Sequence, residues 1–193
     1  MRCQDQVLRE ERRALRAEML RRRAALSAEE HHYWSARVVA HLMAEWTPPP
    51  GSVVGFCWPI HHEPDVRAAL EHWRELGVVA ALPVVVAPKA PLRFRAWTPD
   101  TVLVRDRHGI PTPGSGDWLT PDSLLLPLNA FDASGYRLGY GGGYFDRTLA
   151  ALSPRPLCIG VGFEINRVDS IDPQAHDQRM DWIVTECGVF HSR

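Results

Sequence analysis

Residues 124–152 read LLLPLNAFDASGYRLGYGGGYFDRTLAAL, and three kinds of segment follow one another within them. The apolar run Leu124 to Leu128 has the length and composition of a buried strand. Asp132-Ala-Ser-Gly135 carries turn chemistry, and glycine at 139, 141, 142 and 143 makes a loop. Asp146-Arg-Thr-Leu-Ala-Ala-Leu152 then opens a helix. Strand, glycine loop and helix start aim several backbone N–H groups at one point, and the usual occupant of such a point is phosphate. Glycine is required because the backbone must approach the anion closely and visit positive φ, where a Cβ would clash.

The loop is not one of the common nucleotide fingerprints. It lacks the lysine of a G-x-x-x-x-G-K-[ST] loop, and its glycines do not follow G-x-G-x-x-G. A glycine cluster alone is equally compatible with a structural turn. Its neighbours add chemistry: Arg137 and Arg147 flank it, Tyr140, Tyr144 and Phe145 interleave it, and Asp146 sits where the helix begins. Cations for phosphate, flat rings for an aromatic ligand and a carboxylate for a metal fall within one short stretch.

Working outward, strands and helices alternate. From about Gln4 to Ala25, Leu8, Leu15, Met19 and Leu26 form a narrow apolar stripe on an otherwise charged helix. Ser27-Ala-Glu-Glu30 is a capping box opening a second helix with Trp34, Val38, Leu42 and Trp46 on its buried face. Ser52 to Trp58 reads as a strand. Pro64 suits a first helical turn, Val66, Leu70, Trp73 and Leu76 mark one face, and Gly77 is a natural stop. Val78 to Val86 and Leu92 to Trp97 are strands, and Arg105 to Asp122 is a Gly- and Pro-rich loop. Cys158 to Phe163 and Trp182 to Thr185 supply further strands, the latter the last. This alternation predicts an α/β fold, a three-layer sandwich with a mainly parallel central sheet and the N-terminal helical pair packed on it. No repeat or linker divides the chain, so residues 1–193 are expected to form a single domain, with its ligand beyond the carboxyl ends of the strands.

Composition bounds the function more than it defines it. A chain of 193 residues can bury roughly 70% of its unfolded surface. A net charge of −1 argues against a nucleic-acid binder, although the arginine-rich first helix keeps an RNA- or partner-binding module as an alternative. Cys3, Cys57, Cys158 and Cys187 lack disulfide or zinc spacing, and the adjacent pairs His31-His32 and His61-His62 point apart and chelate poorly. The N-terminus is charged and no run is long enough to span a bilayer, which makes a cytoplasmic monomer without membrane partners the expectation.

RLGYGGGYFDRTL, preceded by PLNAFDASGY, closely resembles the signature of the 5-formyltetrahydrofolate cyclo-ligase family, also called methenyltetrahydrofolate synthetases. Arg12-x-x-Leu15-Arg16, Pro59-Ile60-x-x-Glu63, Leu82-Pro-Val-Val85, Gly109-Ile-Pro-x-Pro113 and His176-Asp177 with Asp181 and Val184-Thr-Glu186 extend the resemblance along nearly the whole chain. The resemblance implies ATP-dependent cyclisation of 5-formyltetrahydrofolate to 5,10-methenyltetrahydrofolate, with ATP and reduced folate as ligands and Mg²⁺ as cofactor. An enzyme of the same α/β type that binds a phosphorylated ligand without consuming ATP is the alternative.

A helix N-terminus contributes only about 0.3–1 kcal/mol to a nearby exposed charge, too little to hold a triphosphate in water. Arginines and a metal are therefore sought. The resemblance assigns ATP contacts to Arg12, Arg16, Arg137 and the loop Gly139, Tyr140, Gly141, Gly142, Gly143, Tyr144, Phe145 and Asp146, with Arg137 and Tyr144 as the catalytic pair. Arg12 and Arg16 lie four apart on one helical face, but on spacing alone they equally solvate a helix exterior. Asp146 and Asp177 are implied as Mg²⁺ ligands; read from position alone, Asp146 is a helix N-cap and Asp177 a surface charge. For folate, Glu63 offers a bidentate acceptor to a pterin edge, with Trp58, Tyr140 and Tyr144 as flat neighbours and Trp97 a weaker one. Four positions depart from the family pattern: Arg12 in place of lysine, Thr112 of glutamate, Asn129 of an aliphatic residue and Phe145 of tyrosine.

Overall fold

A computed structural model describes residues 2–192 of the chain. Its helices are Arg2–Ala24 (α1), Ala28–Glu45 (α2), Arg67–Glu75 (α3) and Tyr144–Ala151 (α4). Its strands are Val53–Phe56 (β1), Val79–Val84 (β2), Arg93–Ala96 (β3), Leu103–Arg105 (β4), Pro111–Pro113 (β5), Trp118–Leu119 (β6), Ser123–Pro127 (β7), Ala130–Phe131 (β8), Arg137–Leu138 (β9), Leu157–Val161 (β10), Trp182–Thr185 (β11) and Gly188–His191 (β12).

Eight strands form one sheet in the order β12-β11-β10-β7-β1-β2-β3-β6. The five from β11 to β2 run parallel, and antiparallel β12, β3 and β6 complete the two sides. From β1 the chain crosses through α3 to β2 on one side; from β7 it crosses through α4 to β10 on the other. Right-handed crossovers leaving in opposite directions put their helices on opposite faces. Between β1 and β7 the connections diverge and open a crevice at the carboxyl ends of the strands, the usual ligand position in such sheets.

Side-chain alternation along each strand separates two cores. Val54, Phe56, Leu125, Ile159 and Val161 face α2 and α3, where they meet Val38, Leu42, Leu70 and Trp73. Leu124, Leu126, Cys158 and Ile183 face the other way, toward Phe94 and Leu149 of α4. The three-layer sandwich follows. The two N-terminal helices pack in different places: α2 lies on the sheet, whereas Met19 of α1 joins Ala130, Leu138 and Ile171 in a third small core over the β8–β9 ribbon. That ribbon, with α1 across it, brings the first helix to the end of the sheet where the crevice opens.

Four local readings change. Arg105 to Asp122 is not a plain loop, because Val104 pairs with Thr112 in a β4–β5 ribbon and Trp118–Leu119 adds an edge strand to β3. Trp182–Thr185 is not the last strand; β12 doubles back on it through the two-residue turn Glu186-Cys187, with Gly188 paired to Thr185. α3 starts only at Arg67, after Pro64, with Val66 as its N-terminal flank. Asp146 is not the N-cap of α4. Gly143, at φ +63°, occupies that position, and Asp146 is the third helical residue. A left-handed residue lets the chain turn sharply out of the glycine loop, and only glycine does so without strain.

The second helix begins as its sequence says. Ser27 accepts from the Glu30 amide, and the Glu30 carboxylate accepts from the Ser27 amide at 2.9 Å. Ser27→Ala should therefore cost about 1 kcal/mol in urea unfolding, with catalytic parameters per folded molecule unchanged.

Candidate functional site

The loop after β7 is held by its carbonyls. Arg16 Nε donates to the Gly139 carbonyl at 2.8 Å, and Arg147 Nη2 donates to that of Gly142 at 2.6 Å. Among the described residues, no amide N–H from 139 to 143 donates to a protein acceptor. Residues 140 to 142 are exposed, so these N–H groups face solvent, and carbonyls fixed by guanidinium groups leave them open to an anion from outside. Gly141 has φ +91°, and a Cβ there would stand 3.3 Å from the Arg16 guanidinium carbon. Side chains at this position would push away the cation that organises the loop.

Two ion pairs flank the loop. Arg12 donates through both Nη1 and Nη2 to Asp177 Oδ2, each at 2.9 Å, with both side chains nearly buried. Arg137 donates to Asp146 Oδ1 at 3.0 Å, and the Gln178 amide reaches the same oxygen at 3.3 Å. Residues 177 and 178 thus tie the two carboxylates into one segment. Burial alone would raise the pKa of Asp177, but the Arg12 hydrogen bonds and the Gln174 amide hold it below the ordinary 3.8. Arg16 is lowered, first by burial and then by repulsion from Arg12. Two guanidiniums kept this close in a half-buried place raise the local positive potential.

The pairing bears on a metal. Among the described residues no three His, Cys, Asp or Glu side chains converge into a ligand group. Asp146 and Asp177 fit Mg²⁺ in a narrower sense: each engages its arginine through a single oxygen, which leaves the other available as a hard ligand. Mg²⁺ characteristically takes one or two carboxylates and completes its shell with phosphate oxygens and water.

Beside the loop, beyond β1, lies a cleft of about 620 Å³ lined by Leu20 and Ala24 of α1, by His31 and by the segment Pro59 to Glu63. Glu63 is almost wholly buried. Its Oε1 accepts the Tyr140 hydroxyl at 2.5 Å, and its Oε2 the Ile60 amide at 3.0 Å. Burial pushes its pKa up, opposed by those two bonds and by Arg23. The Tyr140 hydroxyl is raised above its ordinary range, first by burial and then by the Glu63 charge.

The structure brings Arg12, Arg16, Arg137, Tyr140, Asp146, Asp177 and Glu63 around the crevice. Tyr144 packs against the α4 core with its hydroxyl 3.4 Å from His108 Nε2. Trp58 does not line the cleft. It lies just past the end of β1 and packs against the α2–α3 core under the Arg67 guanidinium, 4.8 Å from the ring centre. Trp97 is core, edge-on to Phe56. The departures from the family pattern also have local partners: Thr112 donates to the Pro83 carbonyl, and Phe145 packs against the α4 core. Asn129 donates to the Arg16 carbonyl at 3.4 Å, and Asn166 donates to the Asn129 carbonyl at 2.7 Å, together pinning α1 to the end of the sheet.

Sequence reasoning missed Arg23. Fully buried, it donates to the carbonyls of His61 and Leu128 and to the Tyr140 hydroxyl. A signal existed: Arg12, Arg16, Met19 and Arg23 stand at helical spacing on one face, which makes that face partly cationic and partly apolar.

The fold is an α/β sheet whose crevice carries a glycine loop with unpaired amides next to a cleft floored by a buried acid. The model of the 5-formyltetrahydrofolate cyclo-ligase family matches residues 8–186. A 5-formyltetrahydrofolate cyclo-ligase of Escherichia coli K12 is 32% identical over 95% of this chain and 99% of its own length. One from Mycolicibacterium smegmatis is 34% identical over 66% of this chain and 70% of its own. The NMR structure of Aquifex aeolicus 5,10-methenyltetrahydrofolate synthetase superposes with a TM-score of 0.80 at 29% identity, covering 94% of this chain and 93% of that one. The chain belongs to the 5-formyltetrahydrofolate cyclo-ligase family. Among the described residues, no helix is long and apolar enough to cross a membrane.

Because Asp177 is held below 3.8, its pairing with Arg12 stabilises the fold above that pH and is lost as pH falls through the depressed value. Asp177→Asn should cost about 1–3 kcal/mol at neutral pH and lessen the acid dependence of stability, read from urea unfolding between pH 2 and 7.

Proposed function

We propose that this chain cyclises 5-formyltetrahydrofolate to 5,10-methenyltetrahydrofolate with ATP as phosphoryl donor, releasing ADP and phosphate. The carrying observation is the glycine loop: free amides at 139 to 143, with carbonyls fixed by Arg16 and Arg147, directly joined through Tyr140 to the buried acid of the neighbouring cleft.

A formamide is a poor electrophile, because its nitrogen donates into the carbonyl and N10 of the same folate cannot expel the oxygen as hydroxide. Transfer of the γ-phosphoryl group to the formyl oxygen gives that oxygen a good leaving form. N10 then attacks the formyl carbon, the N10–C bond forms, the N10 proton is lost, and the C–O bond breaks as phosphate departs. Catalysis of this kind rests on positioning and charge neutralisation. The loop amides and the free nitrogens of Arg16 cradle phosphate oxygens. Arg137 acts by orienting Asp146, to which it is bonded, and Arg12 does the same for Asp177. Asp146 and Asp177 would hold Mg²⁺, which when bound supplies positive charge to phosphate oxygens. Glu63 orients the reduced pterin from the floor of the cleft, and Tyr144 closes the phosphate side beside His108. We further propose a single working domain acting as a cytoplasmic monomer.

The test is the absorbance of the methenyl product from purified protein with 5-formyltetrahydrofolate, Mg²⁺ and ATP. No ATP-dependent product from folded protein, with mono- and polyglutamyl substrates alike, removes the proposal. Asp146→Asn should lower kcat by at least about 100-fold, or about 2.7 kcal/mol, with the fold retained at a stability cost of about 1–3 kcal/mol from the lost Arg137 partner. Glu63→Gln should raise the folate KM about tenfold, or about 1.4 kcal/mol, and change the KM for ATP by much less. An effect confined to ATP would misplace Glu63.

A further inference from the structure

Both oxygens of Glu63 are already engaged. Oε2 accepts from a backbone amide of its own turn, Ile60, and that bond is local and permanent. Oε1 accepts from Tyr140, seventy-seven residues away in the glycine loop. Tyr140 is also the point where the loop touches the interior: the residue is 41% exposed, yet its hydroxyl accepts from the buried Arg23 Nη2 at 2.8 Å. Arg23 in turn cannot move, being fully buried and fixed by the carbonyls of His61 and Leu128. One residue therefore belongs to two sites. Its amide is among those that face the anion, and its hydroxyl occupies the acceptor that a pterin N–H edge would need.

We propose that Tyr140 is a latch between the two ligand sites: its hydroxyl holds Glu63 Oε1 until phosphate draws the glycine loop inward, and only then is the carboxylate released to bind folate. The proposal rests on the functional reading above and adds a coupling to it. Arg23 is the positioning residue of this device. It anchors the hydroxyl in the closed arrangement and remains beside Glu63 as its nearest fixed cation once the hydroxyl leaves.

A hydrogen bond to a charged carboxylate is roughly twice as strong as a neutral one, so a folate arriving alone must compete with a well-held donor. A nucleotide that removes the competitor raises folate affinity, and by linkage folate raises nucleotide affinity by the same factor. The hydroxyl also favours the charged form of Glu63, whose pKa burial pushes upward. Without it the carboxylate protonates at higher pH, and the acid limb of folate binding moves up.

The experiment is calorimetric titration of wild type and Tyr140→Phe with 5-formyltetrahydrofolate, with and without a non-hydrolysable ATP analogue and Mg²⁺. Wild type should bind folate about tenfold tighter when the nucleotide is present. Tyr140→Phe should bind it nearly equally in both conditions, tighter than wild type without nucleotide, and with its acid limb displaced upward in pH. A variant that keeps the wild-type ratio overturns the latch, as does one that loses affinity equally in both conditions. Wild type binding both ligands with no mutual effect overturns the latch and leaves the cyclo-ligase reading standing. Wild type binding neither ligand removes both.

Discussion

Three guanidinium groups on one face of α1 hold the site in one piece. Arg12 reaches Asp177 within the crossover from β10 to β11, Arg16 reaches the glycine loop after β7, and Arg23 reaches the segment after β1 through the His61 carbonyl. Strands β1, β7 and β10 end at one edge of the sheet because they run parallel, but nothing in the sheet fixes the loops that leave them. The first helix does. It is itself docked by a small apolar core at Met19 and by Asn129 and Asn166, whose amides meet its backbone carbonyls.

This arrangement explains why so many charges are tolerated at low exposure. A buried charge is costly unless paired and hydrogen-bonded. Arg12 has Asp177, Arg137 has Asp146, and Arg23 has two carbonyls and a phenol close to Glu63. Each carboxylate meets its arginine through one oxygen, so the pairs stabilise the empty site while leaving ligand capacity. The glycine loop applies the same economy to the backbone. Its carbonyls are satisfied by arginines, and its amides stay available.

Much of this was legible in the chain. The alternation of segments gave the three-layer parallel sheet, the capping box gave the start of α2, and the ordered motifs gave the family. Short pieces were not legible: β4, β5, β6 and β12 contain two to four residues each and exist because a neighbouring edge offers hydrogen bonds. Arg23 was overlooked because it sits in the run Arg21–Arg23, two of whose members are solvent-exposed, and composition does not say which of three arginines faces inward. Trp58, half-buried against the α2–α3 core under Arg67, shows that an aromatic residue beside a cleft motif does not reveal by sequence which side it packs on.

The sequence by itself determined the local chemistry: which segments become strand or helix, where glycine must permit a left-handed turn, and which segments carry the cations, carboxylates and flat rings. Those properties depend on residues a few positions apart. Tertiary structure alone decided which groups meet, since Tyr140 and Glu63, or Arg12 and Asp177, are brought together by crossover handedness, strand order and the docking of α1. No local preference encodes a contact between distant positions. It arises only once the sheet has converged its strand ends and burial has removed the water that each of these charges would otherwise prefer.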